Sequence, residues 1–232
     1  MAGNKVTLTN KDGTFGGYLA SPASGEGPGI LVIQEIFGVN EFVREICDYH
    51  ASQGRFALAP DLFWRLEPGV DITDKSEEHW QKAFSLMQAF NVDTGMEDIQ
   101  TGISYLRGLA GCNGKVGAVG YCLGGQLAYL SATRTDSDAS VGYYGVYIQD
   151  RLDEAAKITK PVMLHIAEND QFVPQEAQAM INDGLKDIAH VTRHSYPEME
   201  HAFARTGGQH YDKSSADLAN TRSETFFRQH LG

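Results

Sequence analysis

The segment Lys115–Gly125 constrains the fold of this 232-residue chain more than any other. It begins as an apolar strand, predicted over Lys115–Gly120, passes through Gly-Tyr-Cys-Leu-Gly and continues into a helix predicted over Gly124–Thr133. A continuous apolar strand is typical of a sheet that is covered on both faces. Glycines at both ends of the five-residue motif remove side chains that would crowd a sharp turn. The pattern therefore places Cys122 on a tight turn between a buried strand and a helix.

The rest of the chain alternates between apolar strands and amphipathic helices. Strands are predicted at Gly29–Ile33, Phe56–Ala59, Ser140–Tyr144, Val162–Ala167 and Val191–Tyr196, and helices at Asn40–Gln53, Ser76–Phe90, Thr94–Leu109, Gln175–Lys186 and Ser215–His230. This order predicts an α/β fold with a mostly parallel sheet and helices on both faces. Val6–Leu8 and Phe15–Ala20, joined by a turn from Asn10, predict an N-terminal antiparallel hairpin. We expect one domain over residues 1–232.

Composition excludes several functions. The formal net charge of −11 argues against partners such as nucleic acid or an anionic membrane, because both require a basic surface. Three cysteines, Cys47, Cys112 and Cys122, lack the spacing of a disulfide framework or a zinc site. Cys47 lies on a helical apolar stripe and Cys112 in a Gly-Cys-Asn-Gly turn, so both are interpreted as structural. With no apolar signal core and no apolar run long enough to span a bilayer, we expect a cytoplasmic protein. We also expect a monomer that needs no metal or other cofactor.

Cys122 is the candidate nucleophile. Strand, Gly-x-Cys-x-Gly and helix in that order form the nucleophile elbow of α/β-hydrolases, with cysteine in place of serine. The helix N-terminus favours the reactive thiolate beside it. The backbone N–H of Leu123 is then a candidate oxyanion donor. The alternative is a buried structural cysteine in a glycine-rich turn.

A thiol nucleophile requires a general base, and the base requires an orienting acid. In α/β-hydrolases both follow the nucleophile along the chain, the acid before the base. Asp170 is the favoured acid because it comes just after the strand Val162–Ala167, with Glu168 as its competitor. His201 follows the last strand and is the favoured base, whereas His165, in the middle of an apolar strand, is interpreted as a core residue.

These residues resemble the dienelactone hydrolases (carboxymethylenebutenolidases) over nearly the whole chain. The matching segments begin with Gln34-Glu-Ile-Phe-Gly-Val-Asn40, Ala59-Pro-Asp-Leu62 and the elbow from Asn113 to Gly125, and continue with Val141-Gly-Tyr-Tyr-Gly145, Asp170-Gln-Phe-Val-Pro174 and His201-Ala-Phe-Ala-Arg205. The resemblance implies an α/β-hydrolase fold and a Cys–His–Asp triad formed by Cys122, His201 and Asp170.

The resemblance also implies roles for three further residues. Glu35 controls thiol ionisation together with Arg205, and Arg205 binds the carboxylate of a small anionic substrate. The backbone N–H of Ile36 is the second oxyanion donor beside Leu123. The implied reaction is hydrolysis of a lactone or small ester, in the family the conversion of dienelactone to maleylacetate, through a thioester on Cys122. The place of Glu35 after a buried strand, where an unpaired carboxylate is costly, supports a functional role for it, and a solvated loop acid is the alternative.

One feature departs from the family pattern. The family has a second carboxylate-binding arginine in the helix that corresponds to Ser76–Phe90, but this stretch contains none. Trp80 stands near the expected position and Lys82 is the nearest cation. A general small-ester or thioester hydrolase is therefore an alternative. A thiol redox sensor on a hydrolase scaffold, which would use Cys122 without His201 and Asp170, is a more distant one.

Overall fold

The computed structural model describes residues 3–232, and in this range the chain forms eight strands, six α-helices and one 3₁₀ helix. The strands are β1 (Asn4–Asn10), β2 (Gly13–Ala20), β3 (Gly27–Ile33), β4 (Phe56–Pro60), β5 (Cys112–Tyr121), β6 (Ala139–Tyr143), β7 (Val162–Ala167) and β8 (Val191–Tyr196). The α-helices are α1 (Glu41–Ser52), α2 (Glu77–Ala89), α3 (Val92–Arg107), α4 (Leu123–Arg134), α5 (Gln175–Leu185) and α6 (Lys213–Leu231), and the 3₁₀ helix is Ile148–Lys157.

The eight strands belong to one sheet in the order β1-β2-β4-β3-β5-β6-β7-β8. β1 and β2 form the predicted antiparallel hairpin, and β2 also pairs antiparallel with β4. The pairs β3–β4, β6–β7 and β7–β8 are parallel. These findings confirm the predicted α/β class, with its mostly parallel sheet, helices and N-terminal hairpin.

The chain forms two compact units, Met1–Ala118 and Val119–Gly232. In the first unit, β3 and β4 are almost completely buried and α3 packs closely on them. Gly102 permits this approach, because a Cβ atom there would lie 2.6 Å from the Leu31 side chain. The prediction of a single domain stays a prediction.

In the second unit, α4 is buried almost all round, as expected for a helix without a polar face. A Cβ atom on Gly125 would lie only 2.6 Å from the carbonyl oxygen of Tyr143, so glycine permits the first turn of α4 to lie against β6. β8 is the edge strand and most of its residues are partly or fully exposed.

Most element boundaries differ from the predicted ones by only one or two residues, and two differences are larger. Cys112 is the first residue of β5 rather than part of a turn, because the strand extends three residues beyond its apolar run. The 3₁₀ helix Ile148–Lys157 was not predicted. Among residues 3–232, no helix is long and apolar enough to cross a bilayer.

Candidate active site

Cys122 lies on a strained turn between β5 and α4. Its backbone has φ 56° and ψ −116°, a conformation that non-glycine residues rarely adopt. The surroundings hold the turn in place, because the Cys122 N–H donates to the Tyr143 carbonyl at 3.1 Å and the Cys122 carbonyl accepts from the Gly125 N–H at 2.9 Å. Backbone strain of this kind is concentrated at functional sites.

Gly120 makes this turn possible. A Cβ atom at this position would overlap the backbone carbonyl of Gly124, which the rigid turn cannot move aside. The sequence predicted that the motif's glycines relieve crowding around the cysteine. The contact in the structure is more specific, since the missing side chain of Gly120 leaves room for the backbone of Gly124. Glycine at position 120 is therefore required by the path of the backbone through the turn.

Leu123 is the first residue of α4, directly after Cys122. The first N–H groups of a helix have no acceptor within the helix, and they carry the partial positive charge of its dipole. Both Cys122 and Leu123 are buried, at 8% and 4% exposure. The sulfur is therefore located at the positive end of a helix, with limited access to water.

Asp170 and His201, the predicted acid and base, form a hydrogen-bonded pair within the second unit. His201 Nδ1 lies 2.7 Å from Asp170 Oδ2, and both side chains are buried. Asp170 is itself fixed, because its Oδ1 accepts from the Phe172 N–H at 2.8 Å and the Val173 N–H at 3.3 Å. Glu168, the competing acid, is exposed. The geometry therefore favours Asp170 as the partner of His201.

Backbone hydrogen bonds join the two loops that carry this pair. The Glu168 N–H donates to the Tyr196 carbonyl at 3.1 Å, and the Asn169 N–H donates to the Met199 carbonyl at 2.9 Å. These bonds connect the loop after β7 to the loop after β8. The separation of Asp170 and His201 is thus fixed by the backbone as well as by their own hydrogen bond.

Cys122 acts electrostatically on His201. Burial is the largest single influence and by itself would lower the pKa of His201. The Cys122 charge, the hydrogen bond to Asp170 and smaller contributions from the same two residues outweigh it and raise this pKa to about 10. His201 Nε2 is buried and makes no hydrogen bond within residues 3–232, so this nitrogen is the one left for proton transfer.

Two aromatic rings flank His201. The Tyr144 ring lies edge-on at 5.0 Å between centroids, and the Phe172 ring lies edge-on at 4.8 Å. Neither residue has a predicted role, although both stand inside segments that match the family. A signal was available for Phe172, which follows the predicted acid by two positions. Tyr144 has a positive φ of 36°, which the sequence did not reveal.

The other predicted site residues, Glu35, Ile36 and Arg205, are also buried. Glu35 and Ile36 follow β3 in the first unit and are 1% and 3% exposed. Arg205 lies in the second unit on the loop of His201 and is 7% exposed. Its N–H donates to the Ala202 carbonyl at 2.9 Å, which closes a turn directly after His201. Buried charged groups are rare unless they have a structural or functional role.

In α2, where the resemblance leads us to expect an arginine, the only lysine is already paired. Lys82 on α2 forms an ion pair with Glu67 at 2.6 Å, and its side chain is 38% exposed. Trp80 stacks on Phe84 and donates from its indole N–H to the Asp74 carbonyl at 3.0 Å. α2 therefore presents the stacked rings of Trp80 and Phe84 rather than a carboxylate-binding arginine.

His165 is a buried core residue, as interpreted from the sequence. Its Nδ1 lies 2.7 Å from the Tyr196 hydroxyl and its Nε2 lies 2.9 Å from the Ser223 hydroxyl. Burial, with smaller contributions from His194 and Arg222, holds the pKa of His165 well below its usual value. Both ring nitrogens are thus used structurally. Within residues 3–232, no three His, Cys, Asp or Glu side chains form a cluster that could hold a metal ion.

A cysteine elbow at the end of a mostly parallel sheet, with an acid and a base on later loops, defines the α/β-hydrolase class. Within that class, the chain belongs to the dienelactone hydrolase family, whose profile matches residues 15–231. It is 40% identical to the carboxymethylenebutenolidase of Pseudomonas putida over 222 residues, covering 95% of this chain and 94% of that protein.

A second relative, from Azospirillum brasilense and provisionally named a carboxymethylenebutenolidase, is 49% identical over 225 residues, covering 95% of this chain and 96% of that protein. The crystal structure of a provisionally named dienelactone hydrolase from Klebsiella pneumoniae superposes with a TM-score of 0.87 at 24% identity, covering 98% of each chain, and shows that the fold is shared. The chain is accordingly an ester or lactone hydrolase.

Proposed function

We propose that Cys122, His201 and Asp170 form a catalytic triad that hydrolyses an enol lactone, dienelactone to maleylacetate, through a thioester on Cys122. The proposal depends on one observation above the others. His201 is hydrogen-bonded to Asp170 at 2.7 Å on one side, and on the other its pKa is raised by the charge of Cys122. A base placed between a nucleophile and an acid is the arrangement that nucleophilic catalysis requires.

In the first half-reaction, the Cys122 thiolate attacks the lactone carbonyl carbon. The carbonyl electron pair moves to oxygen, where the Leu123 N–H stabilises the negative charge. Collapse of this intermediate breaks the ring C–O bond and leaves a thioester on Cys122. The departing enolate oxygen receives a proton from the His201 imidazolium, which becomes neutral.

In the second half-reaction, neutral His201 takes a proton from a water molecule as the water oxygen attacks the thioester. The tetrahedral intermediate collapses, the C–S bond breaks, and Cys122 is released as thiolate beside protonated His201. One water is consumed and one new carboxylic acid is formed, which ionises in solution. The enol product tautomerises to the ketone.

A thiolate nucleophile restricts the substrates that suit this site. When a tetrahedral intermediate collapses, the better leaving group departs, and a thiolate leaves more readily than a simple alkoxide. Forward reaction therefore requires a stabilised leaving group such as an enolate. Enol lactones have one, which agrees with the name of the Pseudomonas putida relative.

Arg205 is the proposed recognition group for an anionic substrate. A guanidinium can hold a carboxylate through two parallel hydrogen bonds, and a chain of net charge −11 needs a local cation to attract an anion. The roles of Glu35 in thiol ionisation and of the Ile36 N–H as second oxyanion donor stay predictions from the resemblance. The triad uses residues of one chain only, so the proposal requires no second copy.

A general small-ester or thioester hydrolase is the second candidate. One observation favours it, namely that α2 carries no arginine and that its Lys82 is paired with Glu67. With a single guanidinium available, a substrate with a carboxylate would be bound less strongly than in relatives with two. The proposed chemistry is the same for both candidates, so substrate preference is what separates them.

Two measurements test the proposal. Mass spectrometry of the quenched reaction should show the chain with the mass of one bound acyl group, and this added mass should be absent in Cys122→Ala.

In steady state, cis-dienelactone should be hydrolysed with a higher kcat/KM than p-nitrophenyl acetate, and Arg205→Lys should reduce only the dienelactone value. Arg228→Gln, on an exposed residue, is the control. A preference for the neutral ester, unaffected by Arg205→Lys, would instead support the second candidate.

A further inference from the structure

A cavity of about 440 Å³ opens beside α6, β7 and β8, and its lining includes none of the predicted site residues. This volume is within the range of small-molecule sites in proteins. The apolar part of the lining includes the buried side chains of Met163 and Phe226, together with Pro161. A flat or branched apolar body of modest size would fit against such a surface.

The titratable side chains of the lining are all basic. Arg222 and His230 contribute from α6 and His190 from the turn before β8, and no Asp or Glu is among the lining residues. This is unusual in a chain with 30 acidic and only 19 Lys and Arg residues. Threonine side chains, including Thr225, add neutral hydroxyl groups. A local basic site on an acidic protein attracts small anions specifically.

The position of the Arg222 guanidinium is fixed by contacts with Tyr196. Its Nη1 donates to the Tyr196 hydroxyl at 3.1 Å, and its guanidinium lies 5.4 Å from the centroid of the Tyr196 ring. Within residues 3–232, no carboxylate lies at ion-pair distance from Arg222. A guanidinium has five N–H donors, so this one retains donors for an anion while its position is already fixed. Fixing a side chain in advance reduces the entropy lost on binding.

We propose that this cavity is a second ligand site, which binds a small organic carboxylate with its apolar body on Met163 and Phe226 and its carboxylate on Arg222. The guanidinium and the carboxylate form a charge-assisted, two-point contact. His190 and His230 lie at the cavity wall and report on occupancy. The site is separate from Cys122, and it does not depend on the proposed reaction.

The test uses the full-length chain with ¹³C-labelled histidine rings, and benzoate as the probe at constant ionic strength. Resonances are assigned with His190→Gln and His230→Gln. Benzoate should shift the His190 and His230 signals in a saturable manner.

Arg222→Gln should raise the dissociation constant of benzoate at least tenfold, whereas Arg228→Gln, on the exposed face of α6, should leave it unchanged. Thr225→Trp, which fills the cavity from an exposed position, should abolish the shifts.

Inorganic phosphate serves as the comparison ligand, because it lacks an apolar body. Weaker binding of phosphate than of benzoate supports the proposal. Equal binding of the two ligands, unchanged benzoate affinity in Arg222→Gln and Thr225→Trp, or shifts at His201 without shifts at His190 and His230 would each overturn it.

Discussion

Asp170 Oδ2 and His201 Nδ1 lie 2.7 Å apart although the two residues are 31 positions apart in the chain. Both side chains are buried, and backbone hydrogen bonds between the two loops hold them in register. With Nδ1 engaged by the carboxylate, the imidazole presents Nε2 for proton transfer. A carboxylate in this position also stabilises the imidazolium form of the ring.

Replacing Asp170 by Asn should reduce kcat/KM by about 10²–10⁴-fold, because the ring loses both its orientation and the stabilisation of its charged form. Hydrolysis of cis-dienelactone by the folded variant measures the loss. Glu168→Gln is the matched control, since it removes an exposed carboxylate two residues away. Equal losses in the two variants would contradict the assignment of the acid.

Replacing Cys122 by Ala should reduce kcat/KM by at least about 10³-fold, because it removes the only nucleophile in the proposed triad. Cys47→Ala is the control. Burial raises the pKa of the Cys47 thiol well above its ordinary value, and this keeps Cys47 unreactive. Iodoacetamide should therefore modify Cys122 faster than Cys47. Undiminished turnover in Cys122→Ala would exclude the thioester route.

A redox sensor would behave differently in the same experiments. It would require a reactive Cys122 but would be indifferent to Asp170→Asn and would show no acyl intermediate. Loss of hydrolysis in both variants therefore separates the two functions.

The pH dependence follows from the raised pKa of His201. A group whose pKa is higher in the folded than in the unfolded state contributes stability in full below the unfolded pKa, about 6.5 for histidine. That contribution is lost as the pH rises through the folded pKa of about 10. The free energy of unfolding should therefore decline between these values, and urea unfolding at a series of pH values measures the decline.

Cys122→Ser provides the comparison for this prediction. It removes the thiolate, which is the largest of the influences that raise the pKa of His201, while burial continues to lower it. NMR titration of the His201 ring should therefore give a lower pKa in the variant than in the unmodified chain. An unchanged titration would show that Cys122 does not interact with His201 electrostatically.

The sequence predicted the sheet, the hairpin and most helices because their signals are local. Apolar runs such as Val162–Ala167 are typical of buried strands, and Asn40 at the start of α1 accepts from the Val43 N–H as a helix cap should. The 3₁₀ helix Ile148–Lys157 lacks such a signal, since a short helix with three residues per turn has no extended apolar periodicity.

The candidate site was partly predictable for a similar reason. Cys122, Asp170 and His201 follow strands, and the chain order of the hydrolase class assigns each a role. The contact of the Tyr144 ring with His201 could not be inferred, because ring contacts depend on side-chain directions in three dimensions. For Phe172, only its place two residues after Asp170 offered a signal. The cavity beside α6 was missed because its residues come from three elements whose sequences show no common motif.

The elbow should tolerate no side chain at Gly120. Gly120→Ala places a Cβ atom against the Gly124 carbonyl, and neither backbone segment can move without distorting the turn. We expect a loss of about 1–3 kcal/mol in the free energy of unfolding, with reduced activity in the molecules that fold. Gly16→Ala is the control, because a Cβ there meets nothing within 4 Å. Chemical denaturation of both variants measures the difference, and equal stability would contradict the argument from close backbone approach.

Substitution of His165 and substitution of His201 should differ in their effect on turnover by the folded protein. His165→Leu removes both hydrogen bonds of the ring, to Tyr196 and to Ser223, in a fully buried position. The variant should lose about 1–3 kcal/mol of stability, because buried polar groups lose partners. Its kcat/KM should change little in the folded protein, whereas His201→Gln should lose turnover in the molecules that fold. Denaturation curves and initial rates on the same preparations distinguish the two residues, and a large loss of kcat/KM in stable His165→Leu would assign that histidine to the chemistry.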